Sequence, residues 1–380
     1  MKKIKLGDAC EILNGFAFKS ENYVGSGIRV IRISNVQKGY IEDNTPAFYP
    51  LETKGIEKYM LEEGDLLISL TGNVGRVAIL EKEFMPAALN QRVACLRLKT
   101  DKLSKRYLFH ILNSDFFEKQ CIQYSKGVAQ KNMSTAWLKD YEILLYSKEQ
   151  QELIADILDK MHLIKKSRYY EIQKLDELVK ARFVEMFGDV GMGLFNYQTC
   201  KLGDVAKVGS SHRVFTTEFV ESGIPFYRGK EIGELANGKK PINPYYISEE
   251  HYKRLAEDET KPLIGDLLMP SICNKGQVWM VDSEEPFYYK DGRVLCISPN
   301  KEVFNSRFLQ YFMREKTLVE YPKIGSGSTF AEFKIFLLKD MDVLVPPLEL
   351  QNQFASFVEE IDKSRLLSNH LLFLIKSLIF

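Results

Sequence analysis

The stretch "KLGDACEILNG", beginning at Lys5, returns as "KLGDVAKVGSS", beginning at Lys201. Reading outward from both starts meets the same landmarks in the same order. "GSGIRVIRISNVQKGYI" from Gly25 answers to "ESGIPFYRGKEIGEL" from Glu221, and "LEEGDLLISLTGNVGRVAIL" from Leu61 to "LIGDLLMPSICNKGQVWMV" from Leu263. An Arg-Val strand follows ("NQRVACLRL", "DGRVLCISP"), then an aromatic helix ("RYLFHILNSDFFEK", "SRFLQYFMREK") and a Gly-rich loop ("SKGVAQKNMS", "IGSGSTFAEF"). Each half closes on an apolar "LKD" strand, at Leu138 and at Leu338. A period of about 200 residues is far too long for a solenoid repeat and suits a duplicated domain.

The 380 residues are 45% hydrophobic and 27% charged, which gives ample apolar material for two cores of soluble-globular type. The chain shows no run of the ~20 apolar residues that a bilayer crossing needs, and "MKKIKLGD" lacks a signal-peptide core, so a cytoplasmic location is expected. Cys10, Cys95, Cys121, Cys200, Cys273 and Cys296 show no CxxC spacing and read as buried free thiols, with no metal site. By segment the net charge is +4 over 1–147, 0 over 148–187, −2 over 188–347 and −1 over 348–380. A polybasic coat is therefore excluded, and any nucleic acid must be held by local clusters or by a partner.

After each "LKD" the periodicity changes. From Ser147 to Asp189 the chain is rich in helix formers and has no proline. Ile154, Leu158, Met161, Ile172, Leu175 and Val179 step by four and three, as core positions of a heptad do, with Lys165 and Arg168 interrupting the stripe. The second copy repeats the pattern with Phe354, Val358, Ile361, Leu372, Ile375 and Ile379, and Arg365 and Ser368 fall in the gap. A helix of about 40 residues would be ~60 Å long, too long to hide on one domain. The two helices are expected to pack on each other as an antiparallel coiled coil with pseudo-twofold symmetry, the polar centre fixing register. The expected fold class is α+β: two homologous α/β domains, 1–147 and 188–347, joined by helices 148–187 and 348–380.

Catalytic signatures fail one by one. "GELANGKK" at Gly233 has the GxxxxGK spacing of a phosphate loop, but Lys240 replaces its Ser/Thr and Pro241 spoils the helix that should follow, so it reads as a surface turn. "NPYY" at Asn243 and "VPPLE" at Val345 approach the adenine-methyltransferase signature without completing it. The five histidines form no HxxxH or HExxH, and no Ser or Cys occupies a GxSxG elbow. Asp65 and Asp266 sit in "GD" turns, where a structural role is expected. No cofactor is expected.

The polar residues gather in loops between apolar strands. The first repeat offers Arg29, Arg32, Ser34, Asn35, Gln37 and Lys38; Thr71, Asn73 and Arg76; Asn90, Gln91 and Arg92; and Lys126, Gln130 and Lys131. Matching stations of the second carry Ser210, Ser211, His212 and Arg213; Arg228 and Lys230; Ser271, Asn274, Lys275 and Gln277; Lys290 and Arg293; and Ser326 and Ser328. Arg, Asn and Gln have the forked donors and acceptors that match base edges, while Lys and Ser/Thr more often hold phosphate. Similar frameworks with different loop residues would read two different things.

The double order of "KLGD" start, "GDLL" strand, Gly-rich loop, "LKD" and Gln-bearing helix start ("YSKEQQELIADIL", "PPLELQNQFASFV") resembles the specificity subunits of type I restriction-modification systems. The resemblance covers essentially the whole chain. It implies two target recognition domains, each reading half of a bipartite double-stranded DNA target, and a helical spacer that docks two methyltransferase subunits, which restriction subunits join. Chemistry would then belong to the partners. One departure is that "VEMFGD", which ends the first long helix, has no counterpart at the end of the second. That leaves its far end short, frayed, or completed by the N-terminal residues in a circular arrangement. Two other readings remain open: a protein-binding scaffold, which the 19 Tyr and 24 Phe could serve, and an enzyme with an unrecognised site.

Overall fold

The structure is a computed structural model and describes residues 2–125, 131–257, 260–324 and 331–379; the side chains of 373 and 375–379 lie outside the description. The chain divides into two compact units, Met1–Arg168 with Leu372–Phe380, and Tyr169–Leu371. The boundary falls inside the central helix, Lys148–Phe187.

In the first unit a four-stranded antiparallel sheet has the order Cys10–Asn14, Val93–Leu98, Leu66–Ser69, Val77–Ile79. A second sheet puts Ile28–Ile31 between Phe48–Tyr49 and Ala87–Leu89, the last pairing parallel to it. The strands are short and apolar because both faces are covered: Leu66, Leu67, Ile68 and Ser69 are all buried. The second unit repeats this design. Ala206–Gly209, Val294–Pro299, Leu267–Pro270 and Trp279–Met280 form its four-stranded sheet, and Tyr245–Ile247, Ile224–Tyr227 and Tyr288–Tyr289 its three-stranded one.

The start and the close of each repeat pair with one another. Lys3–Lys5 runs antiparallel to Glu142–Leu144, and Thr199–Lys201 to Asp342–Leu344. "LKD" is helical in the first copy, within Thr135–Asp140, and in the second up to Lys339 of Ile335–Lys339, with Asp340 in the turn; the strand begins after it, which corrects the strand expected there. Each short helix buries one leucine, Leu138 or Leu338, and the Ser134 hydroxyl caps the first by accepting from the Trp137 N–H at 3.1 Å. "GELANGKK" also differs from the surface turn expected, since Gly233–Ala236 completes the helix Gly229–Ala236 and the turn starts at Asn237. Five cysteines are buried and Cys200 is half-buried; all are free thiols. Among the described residues no helix is long and apolar enough to cross a membrane.

The long helices follow the apolar step. In the first unit Ile154 packs on the domain core, with Leu158 and Met161 half-buried further along. In the second, Val179, Phe183 and Phe187 share one core with Phe354, Val358 and Ile361 of the C-terminal helix, Leu348–Ile379. The Phe183 and Phe354 rings meet edge-on at 5.3 Å. Further along, Arg365 pairs with Asp176, and the Ser368 hydroxyl lies 3.4 Å from Glu171. Partner numbers fall on one helix as they rise on the other, so this pairing is antiparallel. Ile172 and Leu175 are half-buried and Leu372 is buried, while the side chains of Ile375 and Ile379 lie outside the described residues.

One buried amide anchors each long helix to its own domain. Gln151 is fully buried; its Oε1 accepts from the Ser104 N–H at 2.8 Å, and its Nε2 donates to the carbonyls of Lys102 (2.8 Å) and Tyr146 (2.9 Å). Gln351 repeats this with the Asn305 N–H (2.9 Å) and the carbonyls of Val303 (2.9 Å) and Pro346 (2.8 Å). Replacing Gln351 by leucine strands one N–H and two carbonyls in the interior, an expected loss of about 2–4 kcal/mol in urea unfolding. Gln351→Glu sets a buried carboxylate against the same two carbonyls and at neutral pH should cost at least as much.

Candidate nucleic-acid interface

In the first unit the strands Cys10–Asn14, Ile28–Ile31, Leu66–Ser69 and Ala87–Leu89 all finish at the end where Val93–Leu98 begins, as the pairs Asn14↔Ala94, Ile31↔Leu89 and Ser69↔Val93 require. Their loops are tied together through the backbone. The Asn90 N–H donates to the Ile31 carbonyl (3.2 Å), the Leu70 N–H to Arg92 (2.9 Å), and the Met133 N–H to Leu70 (2.8 Å). The second unit has the same three ties at equivalent places: Lys290 to Tyr227 (2.9 Å), Ser271 to Arg293 (2.9 Å) and Phe333 to Ser271 (2.8 Å). The polar loops singled out in the sequence therefore meet, as far as their described residues go, at one end of each domain.

Within that end the side chains divide into two kinds, and many are engaged inside the fold. Arg29 pairs with Asp43 and lies 4.8 Å over the Phe48 ring. Asn35, 3% exposed, accepts from the Arg32 N–H and donates to the Glu42 carbonyl, both at 2.9 Å. The Arg32 guanidinium reaches the Thr45 carbonyl, Arg76 reaches Gln37, and Lys38 bridges Asp115 and Glu118. Asn90 accepts from the Arg92 N–H at 3.2 Å, and Thr71 forms a bridge with Asn132.

In the second unit Ser210 donates to the Val294 carbonyl (2.8 Å) and Ser211 to that of Tyr289 (2.6 Å). Gln277 accepts from the Lys275 N–H (3.0 Å), and Ser271 is buried. Arg228 grips Glu231 with two nitrogens at 3.1 and 2.8 Å and lies 4.4 Å over the Tyr245 ring. Burial pushes the Glu231 carboxyl up, but hydrogen bonds from the Arg228 side chain and backbone outweigh it and hold the group below its ordinary value. Arg293 pairs with Glu332, and Lys290 is half-buried.

The second kind faces solvent. Ser34, Asn73, Gln91, Arg92 and Lys131 are exposed in the first unit, and His212, Arg213, Lys230, Asn274 and Lys275 in the second. Arg213 stands 3.6 Å from Asp291, and Lys230 3.7 Å from Glu234. Lys126, Gln130, Ser326 and Ser328 lie outside the described residues. Among the described residues no group of three or more His, Cys, Asp or Glu side chains could hold a metal ion.

Sequence reading missed the segment after Cys10–Asn14, which stands where Ser210–Arg213 stand in the second repeat. There the Gln91 N–H donates to the Phe16 carbonyl at 2.9 Å. The available signal was Gly15: a Cβ on it would meet the Asn90 carbonyl carbon and oxygen at 2.2 Å, so only glycine allows this approach.

A model of the type I restriction modification DNA specificity domain matches residues 1–174 and again residues 196–376. The chain belongs to this family. Its relatives include the MjaVIII specificity subunit of Methanocaldococcus jannaschii, 30% identical over 181 residues that make up 45% of this chain and 42% of that protein. The EcoBI specificity subunit of Escherichia coli is 28% identical over 180 residues, 47% of this chain and 36% of that one. The chain thus spans less than half the length of these two curated relatives. The MjaIX specificity subunit of M. jannaschii aligns over 94% of this chain and 85% of its own length at 23% identity. A solved type I S subunit from M. genitalium superposes with a TM-score of 0.58 at 15% identity, covering 100% of this chain and 93% of its own. A chain from a study of complex assembly and conformational transition in the type I system gives 0.59 at 17%, covering 100% and 95%. Both structures share the fold of this chain.

Gly15→Ala should push the loop at 90–92 out of place and destabilise the first unit by about 1–3 kcal/mol in thermal melts. Faster proteolytic nicking at that loop is expected alongside.

Proposed function

We propose that this chain is the non-catalytic, sequence-specific DNA-reading subunit of a cytoplasmic type I restriction-modification complex. Residues 1–147 and 188–347 each read one half of a bipartite double-stranded target. The observation that carries this reading is the matched set of backbone ties, which present loops of different chemistry on the same framework in both domains. The exposed Asn73, Gln91, Arg92, His212, Arg213, Asn274 and Lys275 are assigned to DNA contact, and engaged residues such as Arg29, Asn35 and Arg228 to shaping the loops. Family membership and the printed names of the relatives support the same reading.

The helices 148–187 and 348–380 are assigned two tasks, setting the gap between half-sites and docking two methyltransferase subunits, which restriction subunits join. Large exposed apolar side chains on both helices support docking, among them Leu153, Ile157, Leu163, Tyr170, Leu366 and Leu367. The antiparallel pairing supports the ruler, because a packed rod holds its length.

Exchanging residues 1–147 for the first recognition domain of another family member, followed by methylation mapping with the methyltransferase present, should change one half-site and leave the other intact. Simultaneous change of both would defeat the assignment of separate readers. Inserting one heptad between Ile172 and Val179 lengthens the rod by about 10 Å, roughly 3 base pairs, while keeping the apolar step in phase. The same mapping should then find both half-sites with a wider gap. Unchanged spacing in an active variant would remove the helices from that role.

A further inference from the structure

Asp65 and Asp266 hold the same place in the two repeats. Each is 6% exposed, and each carboxylate accepts from the backbone N–H three residues earlier, Glu62 at 2.8 Å and Leu263 at 2.9 Å. In the first unit a guanidinium completes the arrangement. Arg97 donates from Nε to Asp65 Oδ1 at 2.9 Å and from Nη2 to Oδ2 at 2.7 Å, and the same Nη2 lies 3.2 Å from the Met60 carbonyl. This is the two-pronged geometry in which arginine recognises carboxylate.

Strand register identifies the equivalent position in the second unit. Leu66 faces Leu96 and Leu267 faces Ile297, while Arg97 faces Glu11 and Ser298 faces Lys207. Serine thus stands where the first repeat has its arginine. Asp266 keeps its burial with the Ser298 hydroxyl in place of the guanidinium; burial pushes its carboxyl above the ordinary value, and the hydrogen bonds from the Leu263 N–H and Ser298 offset that only in part. A cavity of about 750 Å³ opens over it, lined by Asp204, Lys207, Lys261, Asp266, Ser298 and Asn300 among others. It adjoins the start of Leu267–Pro270, whereas the polar loops leave that strand's other end.

We propose that this cavity receives an arginine side chain from a partner protein, whose guanidinium engages Asp266 as Arg97 engages Asp65. A buried carboxylate gains most from a forked donor that satisfies both oxygens, and the first repeat shows the site's geometry filled in that way. The volume admits the side chain together with backbone that carries it. Lys261, exposed in the lining, matches a carbonyl or carboxylate group beside the arginine. Two carboxylates in the lining also make the cavity unsuited to nucleic acid.

The test uses the full chain and acetyl-arginine amide as probe, with acetyl-lysine amide as control, followed by calorimetric titration. Saturable arginine binding is expected, at least tenfold tighter than lysine binding. Asp266→Asn should weaken it by tenfold or more. Ser298→Arg should abolish it while raising the melting temperature, because the guanidinium is then supplied from within. Lys54→Ala, at an exposed position of the first unit, should bind the probe unchanged. Absence of saturation, equal affinity for the lysine amide, or binding that survives in folded Ser298→Arg would overturn the proposal.

Discussion

A primary amide closed on all sides by backbone holds each long helix to its domain. Gln151 and Gln351 each accept once and donate twice, to a strand-to-helix loop and to the carbonyl two residues before the start of the helix itself. Such a group is costly to bury and nearly neutral once satisfied, so its value lies in what it forbids. Any other helix entry angle would leave three polar atoms dry. The direction of the rod is thereby specified by a single side chain in each repeat.

Around those anchors the two units use apolar contact for strength and polar contact for position. Phe183, Phe187, Phe308, Phe312 and Phe354 interlock where the two helices leave the second domain, with ring centroids 4.9 to 6.5 Å apart. Farther out the packing thins, and the Arg365–Asp176 and Ser368–Glu171 contacts take over. Partly exposed polar contacts of this kind, one an ion pair and one a hydrogen bond, add little stability but penalise a shifted register, because a slip would set Arg365 against apolar neighbours.

Much of this was legible in the chain, for identifiable reasons. A duplicated order of landmarks survives divergence in detail, and the four-three apolar step located the helices because Val179, Phe354, Val358 and Ile361 are core residues. "LKD" was misread because each short segment buries a single leucine and so has no period, which makes one helical turn and a short strand look alike. The polar centre of the helix pair was visible as a gap, but Asp176 and Glu171, which meet Arg365 and Ser368, are ordinary surface acids in sequence. The loop residues were harder still. Arg29 and Arg92 read identically until a distant Asp43 engages one and solvent surrounds the other.

The ties between the loops have a consequence for how the protein can change over generations. They run from main-chain N–H to main-chain carbonyl, at Leu70, Arg92, Met133 and Asn90 and again at Ser271, Arg293, Phe333 and Lys290. Neither donor nor acceptor depends on which side chain the residue carries. A lineage can therefore replace side chains one at a time, exposed ones and even the buried pair Leu70 and Ser271, without redrawing the path of the backbone beneath them. Heritable variation is thus channelled into chemistry and withheld from shape, and a duplicated domain of this kind diverges by relabelling its tips.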